Sequence, residues 1–148
     1  MKYFLALVII LAFLGGAWYA WDRGLIGTAT VSNELIWHHA NSNDILVSQP
    51  TPGSTVPHSF AVSGSARGGW YFEASFPIQI LDKDGNELFQ APVQAQGDWM
   101  TADFVPFGVS VSIPNEYSGR ATIILKNDNP SGLPENERSV SIPVVINN

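Results

Sequence analysis

The segment from Val62 to Phe107 constrains the fold of this 148-residue chain more than any other. It alternates short runs of β-forming residues with glycine-rich loops and turns, a pattern typical of antiparallel β-structure. Asp84 and Gly85 lie between two such runs, and an Asp-Gly pair favours the tight turn of a β-hairpin. The segment therefore predicts an antiparallel β-domain.

Along the whole chain, seven runs have the alternation or the apolar character of strands. Seven strands at short, regular spacing favour a β-sandwich over a small barrel, because alternating faces need a second sheet to cover them. Pro77 and Pro143 fall inside predicted strands, and we expect them at edges or bulges, where a missing N–H costs little. The predicted strands are residues 44–49, 60–66, 76–81, 87–93, 109–113, 121–125 and 140–146.

The N-terminus has a different character, since residues 3–21 are nineteen consecutive residues without a charge. A helix needs about 20 apolar residues to cross a bilayer, so this segment predicts a single membrane-spanning helix. Lys2 before it favours a cytoplasmic N-terminus and a domain outside the cytoplasm. The alternative is a cleaved signal peptide, with small residues Gly15 and Ala17 near the cleavage site and a secreted product.

The chain therefore divides into three predicted parts. Residues 1–23 form a signal anchor or signal peptide, and residues 24–43 form a juxtamembrane linker because they show no sustained period of either type. Residues 44–148 form one β-domain, long enough for a hydrophobic core without disulfide bonds.

Composition excludes several classes of function. The formal net charge is −6, and no basic stripe is present to neutralise phosphates, so we expect no nucleic-acid partner. The absence of cysteine excludes thiol catalysis and Cys-based metal sites. The β-domain has His58 as its one histidine and lacks a Gly-x-Ser-x-Gly motif, which argues against a serine hydrolase. We therefore expect no enzymatic activity, no catalytic residue and no cofactor.

Two short patterns raise the question of a metal site. His38 and His39 are adjacent, and adjacent side chains do not face one centre on a helix or a strand. The segment from Asp82 to Asn86 superficially resembles a calcium loop, but its spacing does not supply the six to eight oxygen ligands that calcium takes. An Asp-Gly hairpin turn is the favoured interpretation of this segment, and calcium is the alternative.

Three carboxylates of the central segment are flanked by aromatic residues. We expect them to be partly buried and to form structural ion pairs with Arg67 or Arg120, because a buried pair is costly to break. A small hydrolase built on these three acids is a remote alternative. We expect the two aromatic residues of this group to lie in the core. The predicted structural cluster is Glu73, Asp98, Trp99, Asp103 and Phe107.

The glycine-rich loop from Arg67 to Tyr71 contains the candidate binding residues Arg67, Trp70 and Tyr71. Aromatic side chains on the loops of a β-sandwich stack on sugar rings or anchor a protein partner. Trp70 follows two glycines, and we expect it to be the most exposed of the aromatic residues. The alternative for Trp70 is that it closes the end of the core.

From about Ile45 to Asn147 the chain resembles Gmad2, the immunoglobulin-like domain of bacterial spore germination. The resemblance implies an immunoglobulin-like sandwich, and the family carries no established catalytic residues to transfer. Because the chain lacks the Cys…Trp…Cys pattern of antibody domains, only the sandwich architecture is implied. The segments that carry the resemblance are Gln49–Val56, Val62–Phe76, Asp82–Gly85, Gly97–Met100, Asp103–Phe107, Asp128–Gly132 and Ile142–Val144.

The sequence thus predicts a non-catalytic, membrane-anchored immunoglobulin-like module in the bacterial cell envelope. One hypothesis for its partner is another envelope protein, bound through a sheet edge or through the Arg67–Tyr71 loop. The other is cell-wall glycan, bound by Trp70 and Tyr71. The glycan hypothesis requires at least one of these two rings to be exposed.

Overall fold

The computed structural model describes residues 31–147, and their fold is all-β. The predicted anchor at residues 1–23, with its helix over 3–21, lies outside the described residues. Among residues 31–147, no helix has both the length and the apolar character that a membrane span requires. The strands are β1 Ile36–His38, β2 Ile45–Gln49, β3 Thr55–Val56, β4 Ser59–Arg67, β5 Ser75–Asp82, β6 Glu87–Ala95, β7 Phe104–Ser112, β8 Gly119–Lys126 and β9 Ser139–Ile146.

These nine strands of the described region form a mainly antiparallel β-sandwich, as predicted. Hydrogen bonding connects eight of them in the order β1-β9-β8-β5-β6-β7-β4-β2. We place the boundary between the two packed layers at the short β6–β7 pairing, so that β7-β4-β2 forms the second layer. Strand β6 joins the layers, because it pairs with β5 along most of its length and with β7 only at Gln94 and Ala95. The short strand β3 pairs with the end of β9 in the parallel direction.

Alternation along the strands builds the core between the layers. In β5, Phe76, Ile78 and Ile80 are buried, and the residues between them are only partly covered. Phe76 meets Phe107 of the opposite layer edge to face, with ring centroids 5.1 Å apart. Each fully buried side chain of this kind contributes about 1.5–3 kcal/mol, so this alternation supplies most of the driving force for folding.

All seven predicted strands are present, and β1 and β3 are additional. Strand β1 lies inside the predicted linker 24–43, where Ile36 pairs with Ser141 and His38 pairs with Ser139. The linker prediction is therefore wrong for this part of the chain, because three residues are too few to show a period. Strand β7 begins at Phe104, five residues before the predicted 109, because Pro106 concealed its first half.

The two strand prolines lie where the hydrogen-bonded ladder is interrupted. Pro77 faces Pro92 of β6, and β8 pairs with β5 only from Ile78 onward. Pro143 lies between the part of β9 that pairs with β1 and the part that pairs with β3. Its carbonyl accepts a hydrogen bond from the Gly53 N–H at 2.7 Å. At both positions the missing proline N–H leaves no ladder partner unsatisfied.

Candidate functional site

Two loops pack together at the end of the sandwich where β4 ends and β7 begins. The first comprises residues 67–75 and the second comprises residues 96–103, and together they are called the loop end below. The Gly68 N–H donates to the Asp103 carbonyl at 3.3 Å, and the Ala95 N–H donates to the Ala74 carbonyl at 2.8 Å. Backbone hydrogen bonds thus fix each loop against the other or against the strand beside it.

Gly68 is the point of closest approach between the two loops. A Cβ atom at this position would lie 2.0 Å from the Thr101 carbonyl oxygen and 2.3 Å from the Trp99 carbonyl oxygen. Gly69 differs, because nothing lies within 4 Å of its Cβ position. Close backbone approach therefore requires glycine at 68 and not at 69.

The expectation that Trp70 is the most exposed aromatic residue is wrong. Trp70 is 1 % exposed and Tyr71 is 4 % exposed. Both rings pack against Phe76, with centroids at 6.5 Å and 5.2 Å respectively. The short 3-10 helix Gly68–Trp70 carries the indole into the core, where its Nε1 has no hydrogen-bond partner among residues 31–147. Neither ring offers a free face on which a sugar can stack.

Tyr71 is held in the core by its hydroxyl group as well as by its ring. The hydroxyl donates a hydrogen bond to the Val105 carbonyl at 2.8 Å. Burial raises the pKa of Tyr71 to about 12, because the phenolate would lose its hydration. Tyr71 therefore joins the loop 67–75 to the first residues of β7.

Arg67 is exposed, and its guanidinium group is bound to the protein's own backbone. Its Nε donates to the Asn43 carbonyl at 3.1 Å, and a terminal nitrogen donates to the Ala102 carbonyl at 2.9 Å. The group also lies over the Phe104 ring, 4.2 Å from the centroid, in a cation–π contact. The predicted carboxylate partners do not contact it.

The carboxylates of Glu73, Asp98 and Asp103 are exposed, which corrects the expectation of partial burial. None of the three forms an ion pair with Arg67, with Arg120 or with any other described residue. They lie on turns, where water solvates the carboxylates. Leaving a charge in water costs less free energy than burying it in an ion pair. Exposed acids also lack the apolar surroundings of a general acid, so this geometry gives no support to a hydrolase.

The aromatic members of the predicted cluster lie nearer to the core than its acids do. Phe107 is fully buried against Phe76 and the sheet, and Trp99 is partly buried against the same core. The cluster is therefore split, with its rings packed inward and its carboxylates facing solvent. The flanking aromatic residues correctly indicated a segment close to the core. They did not indicate that the neighbouring carboxylates face solvent.

A partly buried ion pair joins Asp44 to Arg138, with the carboxylate Oδ1 and the guanidinium Nη1 3.1 Å apart. The second guanidinium nitrogen of Arg138 donates to the Gly69 carbonyl at 2.9 Å, and the group lies 5.3 Å from the centre of the Trp70 ring. Sequence reasoning missed this pair because its members are 94 residues apart in the chain. It connects the start of β2, the Gly-rich loop and the start of β9.

Sequence reasoning also missed the two large apolar side chains that the loop end exposes. Met100 is 78 % exposed and Phe72 is 42 % exposed. Trp99, between Asp98 and Met100, adds a partly covered aromatic surface to the same loop. The available signal was a Phe and a Met in turn segments, where polar residues are the norm.

Next to Phe72 the backbone is in an unusual conformation. Glu73 and Ala74 have φ angles of 49° and 62°. Phe72 and Ser75 exchange hydrogen bonds in both directions, at 2.9 Å and 3.1 Å, so residues 73 and 74 form a tight two-residue turn. Such turns favour Asn and Gly, because left-handed backbone costs other residues roughly 1–2 kcal/mol each.

The two predicted metal candidates are poorly arranged for binding a cation. Both carboxylate oxygens of Asp82 accept hydrogen bonds within the hairpin turn, from Asp84 N and Asn86 N and from the Asn86 side chain, each at 2.8 Å. The hydrogen bonds from Asn86, the side-chain bond first, lower the pKa of Asp82. His38 and His39 stack face to face, with centroids 4.1 Å apart, and His39 Nδ1 is hydrogen-bonded to the Glu137 carbonyl at 3.2 Å. No cluster of three metal-binding side chains occurs in residues 31–147.

A cavity of about 210 Å³ lies beside the loop end, between β8 and the start of β9. Its charged lining includes Lys126 and Arg138 as well as Asp128 and Glu137. Both signs are thus balanced, and Arg138 is already paired with Asp44. This cavity favours no particular class of ligand.

The family model of Gmad2, the immunoglobulin-like domain of bacterial spore germination, matches residues 44–132. No curated protein and no solved structure matches the chain. The family match agrees with the all-β sandwich described above and confirms the resemblance found in the sequence.

Proposed function

The chain belongs to the Gmad2 family of immunoglobulin-like domains, and we propose that it is a non-catalytic protein-binding module of the bacterial cell envelope. In this proposal the apolar segment 3–21 anchors it in the cytoplasmic membrane, with the β-domain outside. The loop end binds the partner. The observation that carries the proposal is the exposure of Phe72 and Met100 on loops that pack together.

Exposed Phe and Met side chains at one end of a sandwich favour a role in protein binding. Single exposed apolar residues are common, whereas several on loops that contact each other favour an interaction site. Met and aromatic residues are enriched in protein interfaces, and the flexible Met side chain adapts to irregular surfaces. Phe72, Trp99 and Met100 combine these properties on two loops that the core holds in place.

The strained turn at Glu73 and Ala74 also supports this location. Backbone strain in non-glycine residues concentrates at functional sites, where the surrounding structure maintains it. Here the turn follows Phe72 directly and fixes the direction in which that ring leaves the domain. A rigid loop loses little conformational entropy on binding.

The described residues before β1 lie toward the end of β9 that is remote from the loop end. Ser32 and Asn33 lie beside Gly53, which is hydrogen-bonded to Pro143 in the middle of β9. From there β1 runs along β9 toward Ser139, the residue after Arg138, which contacts the loop end. The residues before β1 thus approach from the direction away from the loop end.

The proposal is tested in the full chain with the double substitution Phe72→Ser and Met100→Ser. Ile36→Ser is the matched control, because Ile36 is 55 % exposed but lies on β1. An envelope protein that co-purifies with the wild type and with Ile36→Ser, but not with the double variant, supports the proposal. Equal capture by the wild type and both variants contradicts it, and retention of all three proteins on purified peptidoglycan would instead support glycan binding.

A further inference from the structure

We infer that Met100 is an oxidation-sensitive site, and that conversion of its thioether to the sulfoxide by hydrogen peroxide weakens binding by the loop end. The inference rests on the proposed function, because it names a chemical regulation of the same surface. Its basis is the exposure of one sulfur atom on a loop that is held in place without the Met100 side chain.

Exposure makes the Met100 sulfur accessible to an oxidant. Among residues 31–147, Met100 is the most exposed of the large apolar residues, with 78 % of its surface accessible to water. An oxidant in water reaches a sulfur atom only where solvent does, so exposure controls how fast a methionine reacts. We therefore expect Met100 to react at nearly the rate of free methionine.

The chain contains little other sulfur that could react with the oxidant. It has no cysteine, and its one other methionine is Met1, which lies outside the described residues. Cysteine thiolates, the usual targets of a mild oxidant, are therefore missing. Within residues 31–147, peroxide chemistry at sulfur is confined to the Sδ atom of Met100.

The reaction is a two-electron oxidation that transfers one oxygen atom. A lone pair of Met100 Sδ attacks one oxygen of hydrogen peroxide, the O–O bond breaks and an S–O bond forms. The leaving hydroxide takes the proton from the transferred oxygen, so the products are the sulfoxide and one water molecule. The sulfur is oxidised and the peroxide is reduced. Methionine sulfoxide reductases reverse the change, with one enzyme for each sulfoxide epimer.

We expect oxidation to change the surface of the loop end but not its fold. The Met100 N–H donates to Asp98 Oδ1 at 3.0 Å, and this bond does not involve the thioether. The Gly68 N–H donates to the Asp103 carbonyl at 3.3 Å and joins the two loops through their backbones. The Met100 side chain is not part of the buried core. Its oxidation therefore removes no packing from the domain.

The sulfoxide makes the surface unsuitable for an apolar contact. Oxidation converts a flexible apolar side chain into a polar, chiral one, and such a change disrupts interfaces that contain methionine. A partner surface that accepts a thioether offers no hydrogen-bond donor to the new oxygen. Burying that oxygen without a donor disfavours the complex.

The oxidation step is tested on the purified full chain in a neutral detergent, with hydrogen peroxide as the reagent. Mass spectrometry of proteolytic fragments follows the gain of one oxygen atom at Met100. We expect a rate within about threefold of that of N-acetylmethionine, and an unchanged midpoint of urea unfolding after oxidation. A rate more than about tenfold slower, or a lowered midpoint, would contradict the exposure on which the inference depends.

The effect on binding is tested with the full chain carrying a photoreactive amino acid at position 72. The purified chain is oxidised, freed of peroxide and only then mixed with untreated, detergent-solubilised envelope. We expect the cross-linked envelope protein to require about tenfold more of the oxidised chain. Treatment of the oxidised chain with both reductases should restore the original yield, because these enzymes act on methionine sulfoxide.

Two variants assign the effect to Met100 rather than to Met1. Met100→Leu keeps Met1, and its cross-linking is compared before and after peroxide, so the comparison does not require leucine to bind as well as methionine. We expect no change on oxidation of this variant. Met100→Gln introduces a polar side chain without oxidation, and we expect it to require about tenfold more protein than the untreated wild type.

Undiminished cross-linking by the oxidised wild type would overturn the inference, and so would a loss that the reductases do not reverse. A peroxide effect that persists in Met100→Leu would also overturn it. Failure of the proposed function is distinguishable from these results. If the untreated wild type cross-links no envelope protein from position 72, the protein-binding proposal is wrong and the inference falls with it.

Discussion

At the residue scale, Ala74 shows a direct conflict between local conformation and side-chain type. Its φ of 62° is ordinary for glycine and strained for alanine. The turn is kept in place by the paired hydrogen bonds of Phe72 and Ser75 and by the Ala95 N–H on the Ala74 carbonyl. The surrounding structure therefore imposes a conformation that the sequence does not favour.

We expect Ala74→Gly to stabilise the protein. Removing the Cβ relieves roughly 1–2 kcal/mol of left-handed strain, against roughly 0.5–1 kcal/mol for the greater freedom of glycine in the unfolded chain, so the net gain is about 0.5–1 kcal/mol. Urea unfolding of the full chain measures this difference. Ala61→Gly in β4, where no positive φ is present, should destabilise instead, and a loss of stability in Ala74→Gly would contradict the account of the turn.

Substitutions at Gly68 and Gly69 test how closely the two loops pack. Gly68→Ala places a Cβ 2.0 Å from the Thr101 carbonyl oxygen, and we expect a cost of about 2 kcal/mol because backbone must move. Gly69→Ala meets nothing within 4 Å and should stay within about 0.5 kcal/mol of the wild type. Urea unfolding compares the two, and equal effects would show that the loops are not in close contact.

Tyr71 gives the domain a dependence on alkaline pH. Burial raises its folded pKa to about 12, above the usual value of about 10, so the unfolded chain loses the proton first as the pH rises. The contribution of the Tyr71 hydroxyl group to the free energy of unfolding is therefore fully present below about pH 10. It declines between about pH 10 and about pH 12. Urea unfolding across this range should show a shallower decline in Tyr71→Phe than in the wild type.

At neutral pH, Tyr71→Phe should cost about 1 kcal/mol, because the Val105 carbonyl loses its hydrogen bond. Tyr117→Phe is the comparison variant for the alkaline range. The pKa of Tyr117 is also raised, chiefly by burial, but this side chain is less covered and its hydroxyl bonds to Arg120 at the other end of the sandwich. An unchanged alkaline profile in Tyr71→Phe would contradict the burial of its hydroxyl.

At the scale of elements, Arg138 connects parts of the chain that are far apart in sequence. It bonds Asp44 before β2 and Gly69 after β4, and it covers the ring of Trp70. A planar guanidinium group makes these contacts together, which an ammonium group does not. The loop end is therefore supported from the β9 side of the sandwich.

We expect Arg138→Ala to cost about 1–3 kcal/mol, because it removes the ion-pair partner of the partly buried Asp44 and uncovers the ring of Trp70. Arg138→Lys should recover only part of this loss. Arg120→Ala, which removes an exposed side chain on β8, serves as the control with an effect within about 0.5 kcal/mol. Equal stability of all three variants in urea would show that this ion pair is not structural.

Strand prediction succeeded where the period was long enough to detect and failed where it was not. Strands β4, β5 and β9 show an alternation that the burial pattern reproduces, because each has one face on the core. Strand β1 has three residues and β3 has two, so their pairing with β9 decides their conformation. No local pattern could have revealed them.

At the scale of the whole molecule, the fold could be predicted better than the site. Alternation and turn residues are local properties, and they predict an antiparallel β-sandwich, while the family match identifies it as a Gmad2 domain. Whether Trp70 points inward depends on Phe76 and Arg138, which lie elsewhere in the chain. Exposure of Phe72 and Met100 likewise follows from how the loops pack, so sequence reasoning did not identify these two as the exposed apolar side chains of the loop end.

At this scale we propose that an N-terminal membrane segment anchors a β-domain that binds a protein partner through its loop end. The most direct test places a photoreactive amino acid at position 72, at position 100 or at position 36 of the full chain in living cells. Our account predicts that one envelope protein cross-links from positions 72 and 100 and not from position 36 on β1. Cross-linking of the same protein from all three positions, or of none from the loop end, would contradict it.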